Sequence, residues 1–175
     1  ISASNQATYG PISGTCSALG QPVTVTVGTL SAPPTSCLPG GTWSIGPMNV
    51  SSLPDGPVTV TASQTNGSGT GSGSASTLKD ATPPAVTIAS APPINAANAG
   101  NYTVSGTCTA TDGNVSVSFN GGAPLTTPCT SGSWTLSGTN LSALPDGTVT
   151  ILATQTDAAG NSGQATRNTP KDTLP

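Results

Sequence analysis

Histidine and glutamate are absent from this sequence, and charge of either sign is scarce. Charged residues make up 5 % of the 175 positions: Asp55, Asp80, Asp112, Asp146, Asp157 and Asp172, with Lys79, Arg167 and Lys171 as the whole basic complement. Each shortage excludes something. General acid–base work and nucleophile activation draw mostly on His, or on a Glu, Lys or Cys of tuned pKa, so this inventory predicts no enzyme. A net charge of −3 with three basic residues cannot build the Lys/Arg footprint that nucleic acid requires. No apolar run nears the roughly 18–20 residues that span a bilayer. No leader peptide is visible, so the sequence reads as a mature or excised piece. Apolar residues at helical spacing are lacking as well, which leaves an all-β chain.

What is abundant is Val, Ile and Thr, punctuated at short intervals by Gly and Pro. With so little charge, this composition suits short strands and tight turns rather than disorder. Within it one pattern occurs twice. Ile12-Ser13-Gly14-Thr15-Cys16 returns as Val104-Ser105-Gly106-Thr107-Cys108, Cys37 as Cys129, and Trp43 as Trp134. Leu53-Pro54-Asp55-Gly56 returns as Leu144-Pro145-Asp146-Gly147, and Lys79-Asp80 as Lys171-Asp172. The offset of 91 or 92 residues is close to the size of one small sandwich domain. The sequence therefore predicts two tandem immunoglobulin-like β-sandwich domains, residues 1–81 and 82–175. Residues 79–84 read as the linker, and residues 170–175 as the start of another.

In the second copy the predicted strands are 85–90 (strand A), 102–108 (strand B), 115–120 (strand C), one around Trp134, 148–156 and 164–169. Val115, Val117 and Phe119, like Val149 and Ile151, alternate with Ser and Thr, so one face is buried and the other wet. Both Pro-Asp-Gly segments are turns, because Pro presets φ and Gly accepts positive φ. The first copy lacks most of strand A, since eight residues precede Tyr9. Residues 1–4 read as the tail of that strand, resembling 88–90. Two explanations fit: the chain is cut from a longer array, or a neighbouring molecule supplies the strand.

Cys16 and Cys37 are 21 positions apart, as are Cys108 and Cys129. Four cysteines admit three pairings, and the repeat selects the one within each copy. Each bond would tie the end of strand B to the loop before the Trp strand, worth roughly 3 kcal/mol in chain entropy. Such bonds imply an oxidising compartment; zinc-type Cys-x-x-Cys spacing is missing. Trp43, Trp134, Tyr9 and Tyr102 recur at matched strand positions, which reads as core rather than as a sugar-stacking platform. Thr24 with Thr26, Thr59 with Thr61, and Thr148 with Thr150 read as solvated strand faces. Neither Lys is expected in a strand, which argues against a Lys–Asp amide crosslink. A cation site is the sharpest remaining candidate. Asp80 in the linker, Asp112 in the B–C loop, and Asp157 with Asn161 in the F–G loop share one end of an Ig-like sandwich. Three carboxylates and an amide oxygen suit calcium, which takes six to eight oxygens. Copy one has Gly20, Asn66 and Thr70 in the loop positions, so one site is expected at the interdomain junction, with Asp172 left for a following domain.

Taken together, these segments resemble the bacterial Ig-like repeats of large cell-surface adhesins. The resemblance rests on the Gly-Thr entry to strand B, the Trp strand, Leu-Pro-Asp-Gly-x-Val-Thr, residues 155–161 (Gln-Thr-Asp-Ala-Ala-Gly-Asn), and Lys-Asp-x-x-Pro. It covers nearly the whole chain. It implies seven-stranded sandwiches strung end to end as a non-catalytic stalk of an exported bacterial protein. The partners it implies are neighbouring repeats of the same parent chain, and many members hold calcium between domains. Sparse aspartates and the presence of cysteine depart from that pattern. Two other readings stay open: a subunit of an extracellular filament in which identical subunits share strands, and a glycan- or protein-binding module.

Overall fold

The computed structural model describes residues 1–174. Among these residues all regular structure is β apart from one 3₁₀ turn at Gln6–Thr8. The chain divides into two compact units, Ile1–Thr82 and the residues from Pro83 onward. In the first unit the strands are β1 (Ile12–Thr15), β2 (Pro22–Val27), β3 (Leu30–Ser31), β4 (Thr35–Ser36), β5 (Thr42–Ile45), β6 (Gly56–Asn66) and β7 (Gly69–Lys79). β1 pairs with β5; the second sheet has the order β3-β2-β6-β7, with β4 also on β2. Alternation sorts the side chains: Val23, Val25 and Val27 are buried while Pro22 and Thr24 face water. Trp43 and Ile45 complete the core with Val50, Leu53 and Val58.

The second unit repeats the plan with β8 (Ile94–Asn95), β9 (Tyr102–Thr107), β10 (Val115–Phe119), β11 (Leu125–Thr127), β12 (Ser133–Thr139), β13 (Gly147–Thr156) and β14 (Ser162–Asp172). β9 pairs with β12, and the other sheet runs β11-β10-β13-β14-β8, with β8 parallel to β14. Val115, Val117, Val149, Ile151 and Ala153 are sealed inside with Trp134 and Tyr102. Phe119 meets Tyr102 edge-on, with ring centres 6.2 Å apart. The aromatic residues are thus core, Tyr9 half-buried among them, and Thr24, Thr59, Thr148 and Thr150 face outward.

Three expectations need correction. β7 ends on Lys79 and β14 continues to Asp172, so Lys79 closes a strand and residues 170–172 belong to one. Burial keeps its alternation through Thr169 and Lys171, which moves the start of the following segment to Thr173; Pro175 lies outside the described residues. Residues 85–90 do follow β9, through hydrogen bonds at Thr87, Ala89 and Ser90, but form a regular bridge only at Ser90. The reason is local: the Thr87 hydroxyl, not its carbonyl, accepts from the Thr107 N–H. Finally, Ile1 is not the tail of strand A. Its ammonium donates to Leu78 O and its carbonyl accepts from the Asp80 N–H, which is the place Ile94 takes beside Lys171 in the second unit.

Candidate functional site

Each disulfide runs from the end of one sheet's strand to a segment paired with the other sheet. Cys16 follows β1 and bonds Cys37 after β4; Cys108 follows β9 and bonds Cys129 after β11, with Cα atoms 5.8 and 6.1 Å apart. Beside each bridge a glutamine fixes the next loop. Gln155 Nε2 donates to Thr109 O and Gly113 O while its Oε1 accepts from the Thr109 N–H. Gln64 Nε2 donates to Ala18 O and Gln21 O, and its Oε1 accepts from the Ser17 and Ala18 N–H groups. Gln155 is 1 % exposed, and only a full set of hydrogen bonds makes that burial tolerable.

Lys79 and Lys171 do not sit in linkers as expected; both are buried at strand ends. Register brings each to an aspartate. Gly56 lies opposite Lys79 and Gly147 opposite Lys171, so the residue before each glycine falls beside the lysine. Both glycines hold φ at +128, where a side chain is strained. Lys79 Nζ donates to Asp55 Oδ1 at 2.8 Å and Lys171 Nζ to Asp146 Oδ1 at 2.9 Å. The lysine side chains are 4 % and 2 % exposed, the aspartates 34 % and 28 %. The Ala81 N–H and Thr82 hydroxyl also donate to Asp55, and the Thr173 N–H and hydroxyl to Asp146. Each carboxylate therefore staples the departing chain to the turn that opens the preceding strand. The bond from Lys79, then those from Thr82 and Ala81, hold Asp55 down at about 2; Lys171 and Thr173 lower Asp146 in the same way. The contact is an ion pair.

The two units differ along one edge. In the second, residues 84–90 lie against β9. The Thr87 N–H donates to Thr107 O, the Ala89 N–H to Ser105 O, and Trp134 Nε1 donates to Thr87 O. The fit is so close that a Cβ on Gly106 or Gly163 would strike the backbone of Thr87 or Pro84. In the first unit the same edge is open. A groove of about 800 Å³ is lined by Ile12, Gly14, Trp43, Val60, Ala62 and Gly71 among others, none of them charged. Val60 and Ala62 are half-buried there, whereas their counterparts Ile151 and Ala153 are fully buried.

The residues read as a calcium set fall in both units: Asp80 in the first, Asp112, Asp157 and Asn161 in the second. Both oxygens of Asp157 are engaged by Asn161, whose backbone N–H donates to Oδ1 and whose Nδ2 donates to Oδ2, each at 2.8 Å. Desolvation pushes the Asp157 acid up, but the hydrogen bonds from Asn161, Ala159 and Gly160 outweigh it and leave its pKa lowered. Asp112 Oδ1 accepts from the Thr111 hydroxyl. Among the described residues no group of three or more acidic, His or Cys side chains converges. The loop between β13 and β14 is thus closed on itself by the Asp157–Asn161 contacts. Among the described residues, too, no helix is long and apolar enough to cross a membrane.

No protein-family model matches the sequence, and no curated protein does. Solved structures do. A Ca2+-stabilised adhesin that helps an Antarctic bacterium reach out and bind ice is 28 % identical over 98 % of this chain and 46 % of its own, with a TM-score of 0.55. A structure from a 1.5-MDa bacterial ice-binding adhesin, concerned with retention at a host cell surface, is 24 % identical over 99 % of this chain and 60 % of its own, with a TM-score of 0.54. At that identity the likeness is one of fold. A bacterial immunoglobulin-like domain from the M. primoryensis ice-binding adhesin is 32 % identical over 53 % of this chain and 100 % of its own, with a TM-score of 0.37. The chain spans about half the length of the larger adhesin structures it matches, 46 % and 60 %.

Proposed function

Because this chain belongs to the bacterial immunoglobulin-like repeats of large surface adhesins, we propose that it is a non-catalytic spacer, bearing load between other parts of an exported adhesin. One observation supports this above the rest: everything that occurs twice is a device for holding a sandwich closed. The Trp strand fills each core, the cystine joins the sheets, the glutamine pins a loop, and the Lys–Asp–Thr latch ties down the exit. Disulfides fit an oxidising compartment outside the cytoplasm. The partners in this reading are neighbouring repeats of the parent chain.

The mechanism is mechanical. In the second unit the entering segment runs parallel to the departing strand, with Ile94 opposite Lys171. In the first, Ile1 is hydrogen-bonded between Leu78 and Asp80 at the matching place. Tension along the chain loads those bonds together in shear instead of opening them one by one. The latch sits at the same strand end. If a unit yields, its cystine keeps the enclosed loop from extending.

Single-molecule pulling on the oxidised chain tests the reading. Cooperative unfolding events, one per unit, are expected. Under reduction each release grows by about 70 Å, from the 21-residue cystine separation and about 3.4 Å per extended residue. A chain that extends gradually under small force, with no cooperative events, would sink the proposal.

A further inference from the structure

We propose that Asn66 is a self-modification site, at which the Gly67 peptide nitrogen closes on the Asn66 side-chain amide and water opens the resulting cyclic imide. The site lies at the hairpin between β6 and β7, where Asn66 pairs with Gly69 and residues 66–68 are exposed. Three features meet there. Asn66 Oδ1 accepts from the Ser68 N–H at 2.8 Å, which folds the carboxamide over the Gly67 peptide as an Asx-turn does. That bond holds the amide carbon beside its attacker and stabilises the oxyanion that forms as the nitrogen adds. Among the described residues no group accepts from the Gly67 N–H, so the attacking nitrogen is not tied up. The residue that supplies it is glycine, with no Cβ to hinder ring closure. In the first step the Gly67 nitrogen gives up its proton and bonds to Asn66 Cγ, the Cγ–Nδ2 bond breaks, and Nδ2 leaves as ammonia. Water then cleaves the imide on either side. Breaking the new Cγ–N bond leaves an aspartate; breaking the original main-chain bond leaves an isoaspartate, with the chain routed through Cβ and Cγ.

Other asparagines of the chain have one or two of these features. Asn49 and Asn140 are folded the same way, with Oδ1 accepting from the Ser51 and Ser142 N–H groups. Their attacking nitrogens belong to Val50 and Leu141, and those N–H groups donate to Gln6 O and Ala99 O. Asn95 accepts from the Ala97 N–H, but Ala96 follows it. Asn120 is the other asparagine followed by glycine, and it lacks the turn. Its Oδ1 accepts from the Thr150 N–H, while the N–H two residues on, that of Gly122, donates to Phe119 O. The Asn120 carboxamide therefore extends the ladder to β13 and is not folded over the peptide that follows. Asn66 alone, among the described residues, combines the turn, the glycine and the free nitrogen. The outcome changes charge: Asn66 is the counterpart of Asp157, so the aspartyl product gives the first unit the carboxylate that the second carries from the start. It arrives where there is none, since the groove that Asn66 helps to line has no charged residue.

The test is to hold the intact oxidised chain, folded, in mildly alkaline buffer and to follow it by peptide mapping and mass spectrometry. Conversion is expected first at Asn66, with the mass gain of an amide nitrogen exchanged for oxygen and with separable aspartyl and isoaspartyl peptides. Asn120 is expected to convert at least roughly tenfold more slowly. Reducing and denaturing the chain is expected to bring the two Asn-Gly sites to similar rates, because the fold builds the difference. A Cβ at Gly67 meets nothing within 4 Å, and the backbone there is outside the left-handed region. Gly67→Val is therefore expected to fold as before and to slow conversion at Asn66 roughly tenfold or more. Equal rates at Asn66 and Asn120 in the folded chain overturn the proposal. So does an Asn66 that stays intact in the folded chain while the denatured chain converts, or unchanged conversion in Gly67→Val.

Discussion

A lysine side chain that is 2 % exposed must have a partner, because an ammonium taken out of water unpaired costs several kcal/mol. Asp146 is the partner of Lys171, and removing it strands the charge. Replacing Lys171 with Met removes the charge and keeps the apolar stem. Asp146→Ala is therefore expected to lower the melting temperature by roughly 5 °C or more, and Lys171→Met by much less. The double variant is expected to fall near Lys171→Met. Thermal melts of the four proteins check this; strictly additive losses would reduce the latch to ordinary packing. Acid gives the same contact a sign. Asp55 titrates at about 2 in the folded unit, below the ordinary value of about 3.9. Its contribution is fully present above about pH 4 and is lost as pH falls through about 2. Asp146 is shifted in the same direction. Denaturant melts across that window are expected to show stability falling toward acid, with a shallower fall in Asp55→Asn.

At the scale of elements, legibility follows the apolar alternation. Val115, Val117 and Phe119, and Val149 with Ile151, predict β10 and β13, and those residues are inside. The repeat selects the cysteine pairs, and the sulfurs are bonded that way. The reading stops where a strand has nothing apolar to alternate. Residues 69–76 of β7 are almost all Gly, Ser and Thr, and exposed; β14 carries a buried lysine where the pattern expects an aliphatic side chain. Pro-Asp-Gly and Lys-Asp recur together, but read singly they give a turn and a linker and not the latch. Asp55 and Lys79 are 24 positions apart, and register alone makes them neighbours. The loop between β13 and β14 shows the opposite limit. Its Asp, Gly and Asn are legible as a turn or a ligand set, but residue type alone does not say which contacts the Asn161 amide makes with Asp157. With both Asp157 oxygens engaged, added calcium or EDTA is expected to leave the melting temperature unchanged. A calcium-dependent rise that Asp157→Ala abolishes would show the loop reopening to bind the ion.

For the molecule as a whole, both units carry the same disulfide, glutamine and latch, so a difference in their stability must come from what they do not share. The first unit leaves Val60 and Ala62 half-buried, and has no equivalent of the hydrogen bonds that residues 84–90 give to β9. Half-exposing a valine forgoes roughly 1 kcal/mol. In domains of this size each kcal/mol moves the melting point by about 4–8 °C. Calorimetry of the oxidised chain is therefore expected to show two transitions, with the first unit melting at least roughly 5 °C below the second. Hydrogen exchange read by mass spectrometry assigns them, since peptides from β6 and β7 should exchange at the lower one. Coincident transitions would mean that the half-buried Val60 and Ala62 cost the first unit nothing.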